Sequence, residues 1–307
     1  MVDINLEIEK YLTQCKTQRR LDEKTLKAYS IDLGQFKQYL SMRDCLMKQV
    51  IAEYIAHLHE IYSPRTIKRK IASIKAFYTH MVFEDIISEN PFNKINTKFQ
   101  EPQVLPRVIP LTLIKKILIV AYKRLTYAKS EYASRVAQRD IAIVELLFAT
   151  GLRVSELCSL NSKNVNLNDG NILIMGKGEK ERLIQVGNHE VLTSLRNYKT
   201  AYKTLADKSE YFFINRLNTK LSDQSIRFLI KSLCNQACIS LHITPHMFRH
   251  SFATLLLEEN VDIRYIQGML GHGSIKTTQI YTQVAAKKQR QILTLKHPRN
   301  KLILNNE

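Results

Sequence analysis

The chain has 307 residues, of which 45% are hydrophobic, and its 46 Lys and Arg residues outnumber its 28 Asp and Glu residues to give a formal net charge of +18. This length allows two domains, and the positive excess favours a nucleic-acid partner over a merely basic enzyme surface. The absence of a membrane-length apolar run, of signal-peptide features and of a paired cysteine pattern leads us to expect a cytoplasmic protein with no membrane partner.

The first hundred residues are predicted to form a helical bundle. Apolar residues recur at helical spacing within residues 6–12 and 26–40. A third helix is predicted over residues 50–61. A fourth is predicted over residues 64–83, where a proline suits the first helical position.

The fourth predicted helix carries four closely spaced basic residues beside an apolar stripe. This cluster is either a solvated face or a cationic surface that contacts the backbone or groove of DNA. The candidate DNA-binding residues in the cluster are Arg65, Lys68, Arg69 and Lys70.

Residues 100–110 contain three of the seven prolines of the chain. Because repeated proline favours an extended backbone, this stretch is predicted to be a semi-rigid linker. It separates a domain over residues 1–99 from a second domain over residues 111–307.

The second domain is predicted to be helical around one β-hairpin. A helix is predicted over residues 111–122. The polar stretch that follows, 127–138, has no pattern that predicts its secondary structure. An apolar helix over residues 140–149 ends at Gly151, its expected C-cap.

The stretches NILIM and ERLIQV flank a glycine-rich turn and predict the hairpin. Further helices are predicted over residues 221–236, 245–258, 263–270, 275–281 and 285–296, so the fold class is mainly α with a small antiparallel β-sheet.

Two basic residues lie where local structure would present them to an anion. Arg153 follows the Gly151 cap and precedes Ser155, a candidate N-cap, so it could reach a phosphate beside free helix N–H groups. Lys177 lies at the tip of the glycine-flanked hairpin turn. It is either a solvated turn lysine or a side chain free to swing into a ligand.

Four further candidate residues lie in the last quarter of the chain. His246 and Arg249 are three residues apart and are predicted to share one face of a helix, in the first turn that a Thr-Pro pair begins. His272 lies in a Gly-His-Gly turn, and Tyr281 follows nine residues later. Each alone has an ordinary alternative, such as a surface pair, a capping histidine or a packed tyrosine ring.

A spacing of Cys-x3-Cys-x3-His-x3-His from Cys234 to His246 is reminiscent of a zinc site. On one helix these residues would span about 18 Å of rise, whereas zinc needs all four ligands within about 2.3 Å of one point. We therefore predict no metal.

As a set, the candidates could cleave one phosphodiester bond. Cationic side chains would neutralise charge on the non-bridging oxygens, a lysine would protonate the leaving alkoxide, and a tyrosine would attack phosphorus. The clustered carboxylates of a metal-dependent nuclease do not accompany them, so the cations would replace Mg²⁺.

Four successive stretches, ATGLRVSEL, GKGEKERLIQVG, TPHMFRHSFATLLLE and IQGMLGHGSIKTTQIYTQV, resemble the signatures of the tyrosine recombinases, or phage-integrase-type recombinases. The similarity extends over about residues 138–284, and the N-terminal helices more weakly resemble the core-binding domain of that family. The resemblance implies an N-terminal SAM-like helical bundle that binds DNA and a C-terminal α+β catalytic domain.

The resemblance also implies roles for the phosphate-binding candidates. Arg153 and Arg249 would be the two arginines on the scissile phosphate, and Glu156 would orient Arg153. His272 would donate a hydrogen bond to the same phosphate.

The remaining candidates would move protons or form the covalent bond. Lys177 would be the general acid on the 5′-oxygen, His246 would assist proton transfer from the nucleophile, and Tyr281 would be that nucleophile. The predicted helix 285–296 would dock on a neighbouring protomer or act as an intramolecular lid or basic tail.

The implied reaction is site-specific recombination through a 3′-phosphotyrosine and a Holliday junction, without metal, ATP or another cofactor. The implied partner is double-stranded DNA with an inverted-repeat core site, bound by a homotetramer or together with a second recombinase. Gln283 replaces a His that is common among similar recombinases, and we expect this change to be harmless. The long 127–138 stretch argues against chromosome-dimer resolution and favours a role in a phage, integron or transposon, but the sequence leaves both roles open. The alternatives are a non-catalytic helix-turn-helix regulator and a type IB topoisomerase-like strand transferase.

Overall fold

The computed structural model describes residues 3–41, 43–100, 106–176, 181–203 and 209–271. The chain divides into two compact units, Met1–Gln103 and Val104–Glu307, and the division lies inside the stretch predicted as a linker. Each unit has its own hydrophobic core. The described residues are mainly helical with one small antiparallel sheet, which confirms the predicted fold class.

The described part of the first unit contains four α-helices and a short 3-10 helix at Pro91–Lys94. The α-helices are α1 (Ile4–Thr17), α2 (Glu23–Leu40), α3 (Lys48–Ile61) and α4 (Pro64–Phe83). All four confirm the sequence prediction. Asp22 caps α2, because its Oδ1 atom accepts a hydrogen bond of 2.8 Å from the Thr25 backbone N–H.

Aromatic side chains fill the core of the first unit. Tyr11, Phe36, Phe77 and Tyr78 are completely buried, and the ring centroids of Tyr11 and Phe77 lie 5.6 Å apart. The Tyr78 hydroxyl donates a hydrogen bond to the carbonyl of Cys45, so this buried polar group is satisfied.

The described part of the second unit contains seven α-helices and three strands. The helices are α5 (Leu111–Thr126), α6 (Glu131–Thr150), α7 (Val154–Cys158), α8 (His189–Ala201), α9 (Asp223–Gln236), α10 (Pro245–Glu258) and α11 (Ile263–Leu270). The bounds predicted for the last two are confirmed. The helices predicted over residues 275–281 and 285–296 lie outside the described residues.

Helix α6 includes most of the polar stretch that the sequence left unplaced. The Ser130 hydroxyl accepts a hydrogen bond of 3.1 Å from the Ala133 backbone N–H and so caps the helix well before the predicted apolar segment. The polar residues form its first turns, and the apolar residues that follow are buried in the core.

Helix α8 was not predicted. Its N-cap, Asn188, accepts hydrogen bonds from two backbone N–H groups, and its buried residues include Val191, Leu195 and Tyr198. These residues have the helical spacing that marks a buried face, so the pattern was present in the sequence.

The sheet has the strand order β1 (Val165–Asn166), β2 (Asn171–Met175), β3 (Glu181–Gln185), with both pairs antiparallel. Strands β2 and β3 confirm the predicted hairpin. Ile172 pairs with Ile184 and both are buried, whereas Leu183 is 62% exposed. One face of β3 therefore packs on the core and the other meets solvent.

The end of the predicted linker is fixed to the second unit. Ile109 is completely buried, and its backbone N–H donates a hydrogen bond of 2.8 Å to the Ser251 hydroxyl of α10. Residues 106–110 precede α5 without regular structure. Among the described helices, none is both long and apolar enough to cross a membrane.

Candidate active site

The junction between α6 and α7 builds the first part of the site. Gly151 is the left-handed C-cap of α6, as predicted, and a Cβ atom there would lie 2.7 Å from Cδ1 of Phe252. Arg153, and not Ser155 as predicted, is the N-cap of α7. The reason is that Glu156 accepts a hydrogen bond of 2.9 Å from the Arg153 backbone N–H, which satisfies that donor without a serine cap.

Glu156 binds two arginine side chains although it is only 5% exposed. Its Oε1 atom lies 2.8 Å from Nη1 of Arg153 and 2.9 Å from Nη1 of Arg182, and its Oε2 atom lies 2.7 Å from Nη2 of Arg182. Arg182 therefore makes a bidentate contact, the strong geometry for a guanidinium and a carboxylate. Glu156 thus contacts the side chain of Arg153, the residue that it is expected to orient.

The pKa of the Glu156 carboxyl is set by opposing effects. Burial would raise this pKa, but hydrogen bonds from the Arg182 side chain and the Arg153 backbone outweigh burial and lower it below its ordinary value. The carboxylate is therefore ionised at neutral pH, and each arginine has a charged partner.

The sequence reading missed Arg182. Its side chain is 10% exposed, and it lies on the same face of β3 as the buried Ile184, two residues away. An arginine at a core-facing position of a strand needs a carboxylate partner. This alternation is the signal that could have identified it.

Helix α10 positions His246 and Arg249. Thr244 is its N-cap and Pro245 its first residue, as predicted. Arg249 is the fifth helical residue, so it lies just past the predicted first turn, because one turn holds about 3.6 residues counted from Pro245.

The Arg249 side chain joins the ends of two helices. The residue is 4% exposed, and its Nη1 and Nη2 atoms donate hydrogen bonds of 2.9 and 2.6 Å to the carbonyl oxygens of Gly151 and Leu270. These carbonyls belong to the C-terminal ends of α6 and α11, where a cation is favoured. Arg249 thus anchors the backbone immediately before Arg153.

His246 lies in the field of several cations. Although much of the residue is accessible, partial burial of its ring and the guanidinium groups of Arg249, Arg227 and Arg153 lower the pKa of the imidazole below its ordinary value. The pKa falls because each of these effects disfavours the charged form. At neutral pH the imidazole is therefore uncharged and able to accept a proton.

An open cleft lies beside Arg153, Glu156 and Arg182. The residues that line it carry both signs of charge with an excess of cations, and they include Arg153, Glu156, Glu181, Arg182, Lys220 and Arg264. Gly271, the left-handed C-cap of α11, also lines the cleft. Such a cleft offers several cations to one anionic ligand.

Three predicted catalytic residues, Lys177, His272 and Tyr281, lie outside the described residues. The structure therefore brings together Arg153, Glu156, His246 and Arg249, and the roles of all seven residues stay predictions. Along the chain, Lys177 follows Gly176 at the edge of the cleft and His272 follows Gly271.

The basic face predicted on α4 needs a correction at Lys70. This residue is 2% exposed; its Nζ atom lies 3.1 Å from Oδ1 of Asp32, also contacts the Gln35 side chain, and lies 4.7 Å from the centre of the Tyr62 ring. Lys70 falls three residues after the buried Ile67, so helical spacing puts it on the apolar stripe.

The other three basic residues of the predicted DNA-binding cluster on α4 are exposed. The Arg69 guanidinium contacts the Asp32 carboxylate while its side chain remains 44% exposed. Contact with DNA by Arg65, Lys68 and Arg69 stays a prediction.

The zinc-like spacing does not assemble ligands in the part of the chain that the structure describes. Cys234 is buried and Cys238 is exposed. Among the described residues, no three His, Cys, Asp or Glu side chains are grouped so as to hold a metal ion.

Comparison with protein families gives two matches. The profile of the Phage integrase family matches residues 121–288, and that of the Phage integrase N-terminal SAM-like domain matches residues 8–84. Together the matched stretches cover most of both compact units.

Individual proteins are similar along nearly the whole chain. A tyrosine recombinase from Agathobacter rectalis is 52% identical over 301 residues, which are 97% of this chain and 98% of that protein. Tyrosine recombinase XerD from Listeria monocytogenes is 34% identical over 303 residues, 95% and 98% of the two chains. The crystal structure of XerH site-specific recombinase bound to palindromic difH substrate, in its post-cleavage complex, has the same fold, with a TM-score of 0.77 at 23% identity over 94% of this chain and 82% of that one.

Proposed function

The chain belongs to the phage integrase family and is a tyrosine-type site-specific recombinase, and from this premise we propose that it cleaves and rejoins DNA through a 3′-phosphotyrosine intermediate. Family membership does not favour a helix-turn-helix regulator or a topoisomerase-like strand transferase. A regulator would also have no need for a buried carboxylate that fixes an arginine beside an open cationic cleft.

The observation that carries the proposal is the contact of Glu156 with Arg153. An ionised, nearly buried carboxylate holds this guanidinium at the cleft and leaves its side chain 36% exposed. A preorganised cation can stabilise the charge that develops on the oxygens of a scissile phosphate without reorganising during the reaction. We assign that role to Arg153, with Arg249 as the second arginine and His272 as a hydrogen-bond donor.

The proton transfers are assigned to two further residues. Neutral His246 would take the proton from the Tyr281 hydroxyl as its oxygen attacks phosphorus. Lys177 would give a proton to the departing 5′-oxygen, so that the phosphodiester bond breaks as the phosphotyrosine forms. No step in this scheme uses a metal ion or ATP.

The wider arrangement follows the same proposal. Residues 1–99 and 111–307, joined by residues 100–110, would bind one duplex with an inverted-repeat core, and four protomers would pass the strands through a Holliday junction. Residues 285–296 would contact a neighbouring protomer. We place the protein in the cytoplasm at the nucleoid.

The decisive experiment is covalent trapping on a nicked suicide duplex built from the DNA that flanks the gene. We expect the wild-type chain to form a covalent adduct that survives denaturing electrophoresis. Tyr281→Phe should bind the same duplex and give no adduct, because phenylalanine has no nucleophilic oxygen.

Tyr265→Phe is the matched control, since this tyrosine is 72% exposed on α11 and has no proposed role. It should trap DNA like the wild type. An adduct formed by Tyr281→Phe would remove Tyr281 as the nucleophile. Binding to the flanking DNA with no wild-type adduct would contradict the enzyme proposal.

A further inference from the structure

Arg182 contacts two different parts of the site through one guanidinium group. Two of its nitrogens bind Glu156, at 2.9 and 2.7 Å, and its Nε atom donates a hydrogen bond of 2.9 Å to the carbonyl oxygen of Met269. The side chain therefore joins strand β3, the first turn of α7 and the last turn of α11.

The turn after α11 is shaped around this arginine. Gly271 has a φ of 65°, and a Cβ atom on it would lie 2.9 Å from Nη1 and 3.0 Å from Cδ of Arg182. A side chain at position 271 would thus strain the backbone and collide with the guanidinium. Glycine at this position serves both the left-handed cap and the close approach of Arg182.

The two arginines that share Glu156 are not equivalent. The Arg153 side chain is 36% exposed and the Arg182 side chain is 10% exposed, and Arg182 makes the bidentate contact. All three guanidinium nitrogens of Arg182 donate hydrogen bonds to protein oxygens. Arg153 donates one side-chain hydrogen bond to the same carboxylate and lines the cleft. If Arg182 were absent, the carboxylate would keep its two hydrogen bonds from Arg153, one from the backbone N–H and one from Nη1, but it would lose its connection to β3 and, through Arg182, to α11.

We propose that Arg182 is a positioning residue, which fixes the Glu156 carboxylate against α11 and thereby sets the orientation of the Arg153 guanidinium toward the scissile phosphate. This inference rests on the proposed function. It predicts that charge alone is insufficient at position 182, because a lysine cannot bridge both carboxylate oxygens and the Met269 carbonyl with a planar fork.

The test compares Arg182→Lys and Arg182→Gln with Arg153→Ala in single-turnover cleavage at saturating DNA. We expect both Arg182 variants to bind the suicide duplex within about threefold of wild type and to cleave it about 100-fold more slowly, a loss typical of a misplaced transition-state donor. Arg196→Lys is the control, because Arg196 donates to the Leu167 carbonyl at 2.7 Å and has no contact with Glu156 among the described residues. It should cleave like wild type.

A second substrate separates positioning from general damage. A methylphosphonate at the scissile position has one negative charge less and needs less cationic stabilisation. Measured against wild type on the same substrate, the cleavage defect of Arg153→Ala and of both Arg182 variants should shrink together, to less than about tenfold. If the Arg182 defect stays near 100-fold on the methylphosphonate while the Arg153 defect shrinks, the inference is overturned.

A third measurement does not depend on catalysis. In a double-mutant cycle of the thermal midpoint, Arg182→Gln and Glu156→Gln should be non-additive, so that the double variant is no less stable than the worse single variant. If the changes in the thermal midpoint are additive, the two residues are not coupled and the inference is overturned. A wild-type chain that fails to cleave DNA would refute the proposed function, while this cycle would still report on the contact.

Discussion

Two buried carboxylates, one in each unit, gather basic side chains in different ways. Asp32 of α2 is completely buried and contacts Arg69, Lys70 and Ser73, which all come from α4. Glu156 contacts Arg153 from the start of α7 and Arg182 from β3, and Arg182 also reaches the end of α11.

The difference lies in where each network ends. The network of Asp32 joins one pair of helices and seals Lys70 inside the unit, whereas the network of Glu156 converges from three elements on an open cleft. The first arrangement holds a fold together, and the second holds a cation toward a ligand. The number of basic residues in a stretch of sequence does not show which arrangement they form. The position of the carboxylate that they contact determines whether they are buried in the fold or face a ligand.

Replacing the two carboxylates by their amides should give the largest and clearest contrast. Asp32→Asn leaves the buried Lys70 ammonium without its charged partner, so we expect a loss of about 3–5 kcal/mol in the free energy of unfolding. Urea unfolding of the full chain, followed by circular dichroism, measures this loss.

Glu156→Gln should cost less stability, because Arg153 and Arg182 both line the open cleft, where their guanidinium groups can be hydrated, and Arg182 keeps its hydrogen bond to the Met269 carbonyl. This variant should mainly slow cleavage. Equal losses of stability in the two variants would contradict the distinction between the networks. So would an Asp32→Asn variant that unfolds within about 1 kcal/mol of wild type, which is the ordinary range for an exposed pair.

Lys68 and Lys70 provide a smaller and complementary contrast on a single helix. If exposed Lys68 neutralises a phosphate, Lys68→Ala should reduce the slope of log Kobs against log salt concentration by about 1. Lys70→Ala should leave that slope unchanged and lower stability instead, because Lys70 faces Asp32.

Fluorescence anisotropy titrations of a labelled duplex at several salt concentrations measure both slopes. A reduced slope for Lys70→Ala would show that its ammonium leaves Asp32 to contact DNA. An unchanged slope for Lys68→Ala would remove that residue from the proposed DNA-binding face.

Local pattern was sufficient for much of the fold. A proline at a helix start fixed the beginnings of α4 and α10, and the glycine at position 151 marked the end of α6. The prediction was weaker where polar residues form the first turns of a helix, as in α6 after Ser130. From its polar composition such a stretch is predicted to be irregular, although the N-cap residue, Ser130, could have been recognised in the sequence.

The site was predictable as a list of residue types and less so as a network. Arg153, Glu156, His246 and Arg249 could be selected from motifs, but which arginine faces the protein depends on contacts between β3, α7 and α11. Those contacts are distant in the chain, and this is why Arg182 was missed. Lys70 was misplaced for a different reason, since the helical spacing from Ile67 was available and the positive charge was given more weight.

The smallest expected effect concerns His250, the neighbour of Arg249 in the second unit. Burial, His246 and Arg249 lower the pKa of the His250 imidazole to about 4. In the unfolded chain this pKa is near its ordinary value of about 6.5, so the unfolded state takes up a proton first as the pH falls. Stability due to His250 is therefore present above pH 6.5 and decreases progressively between about pH 6.5 and 4.

Thermal unfolding at pH 7 and pH 5 should show this difference. The midpoint of the wild type should fall between these values by about 2–4 °C more than that of His250→Gln, which has no imidazole to protonate. Carboxylates such as Glu156 titrate in both proteins and cancel in the comparison. If the midpoints of the two proteins fall by the same amount, then neither burial nor the neighbouring His246 and Arg249 lowers the pKa of the His250 imidazole in the folded chain.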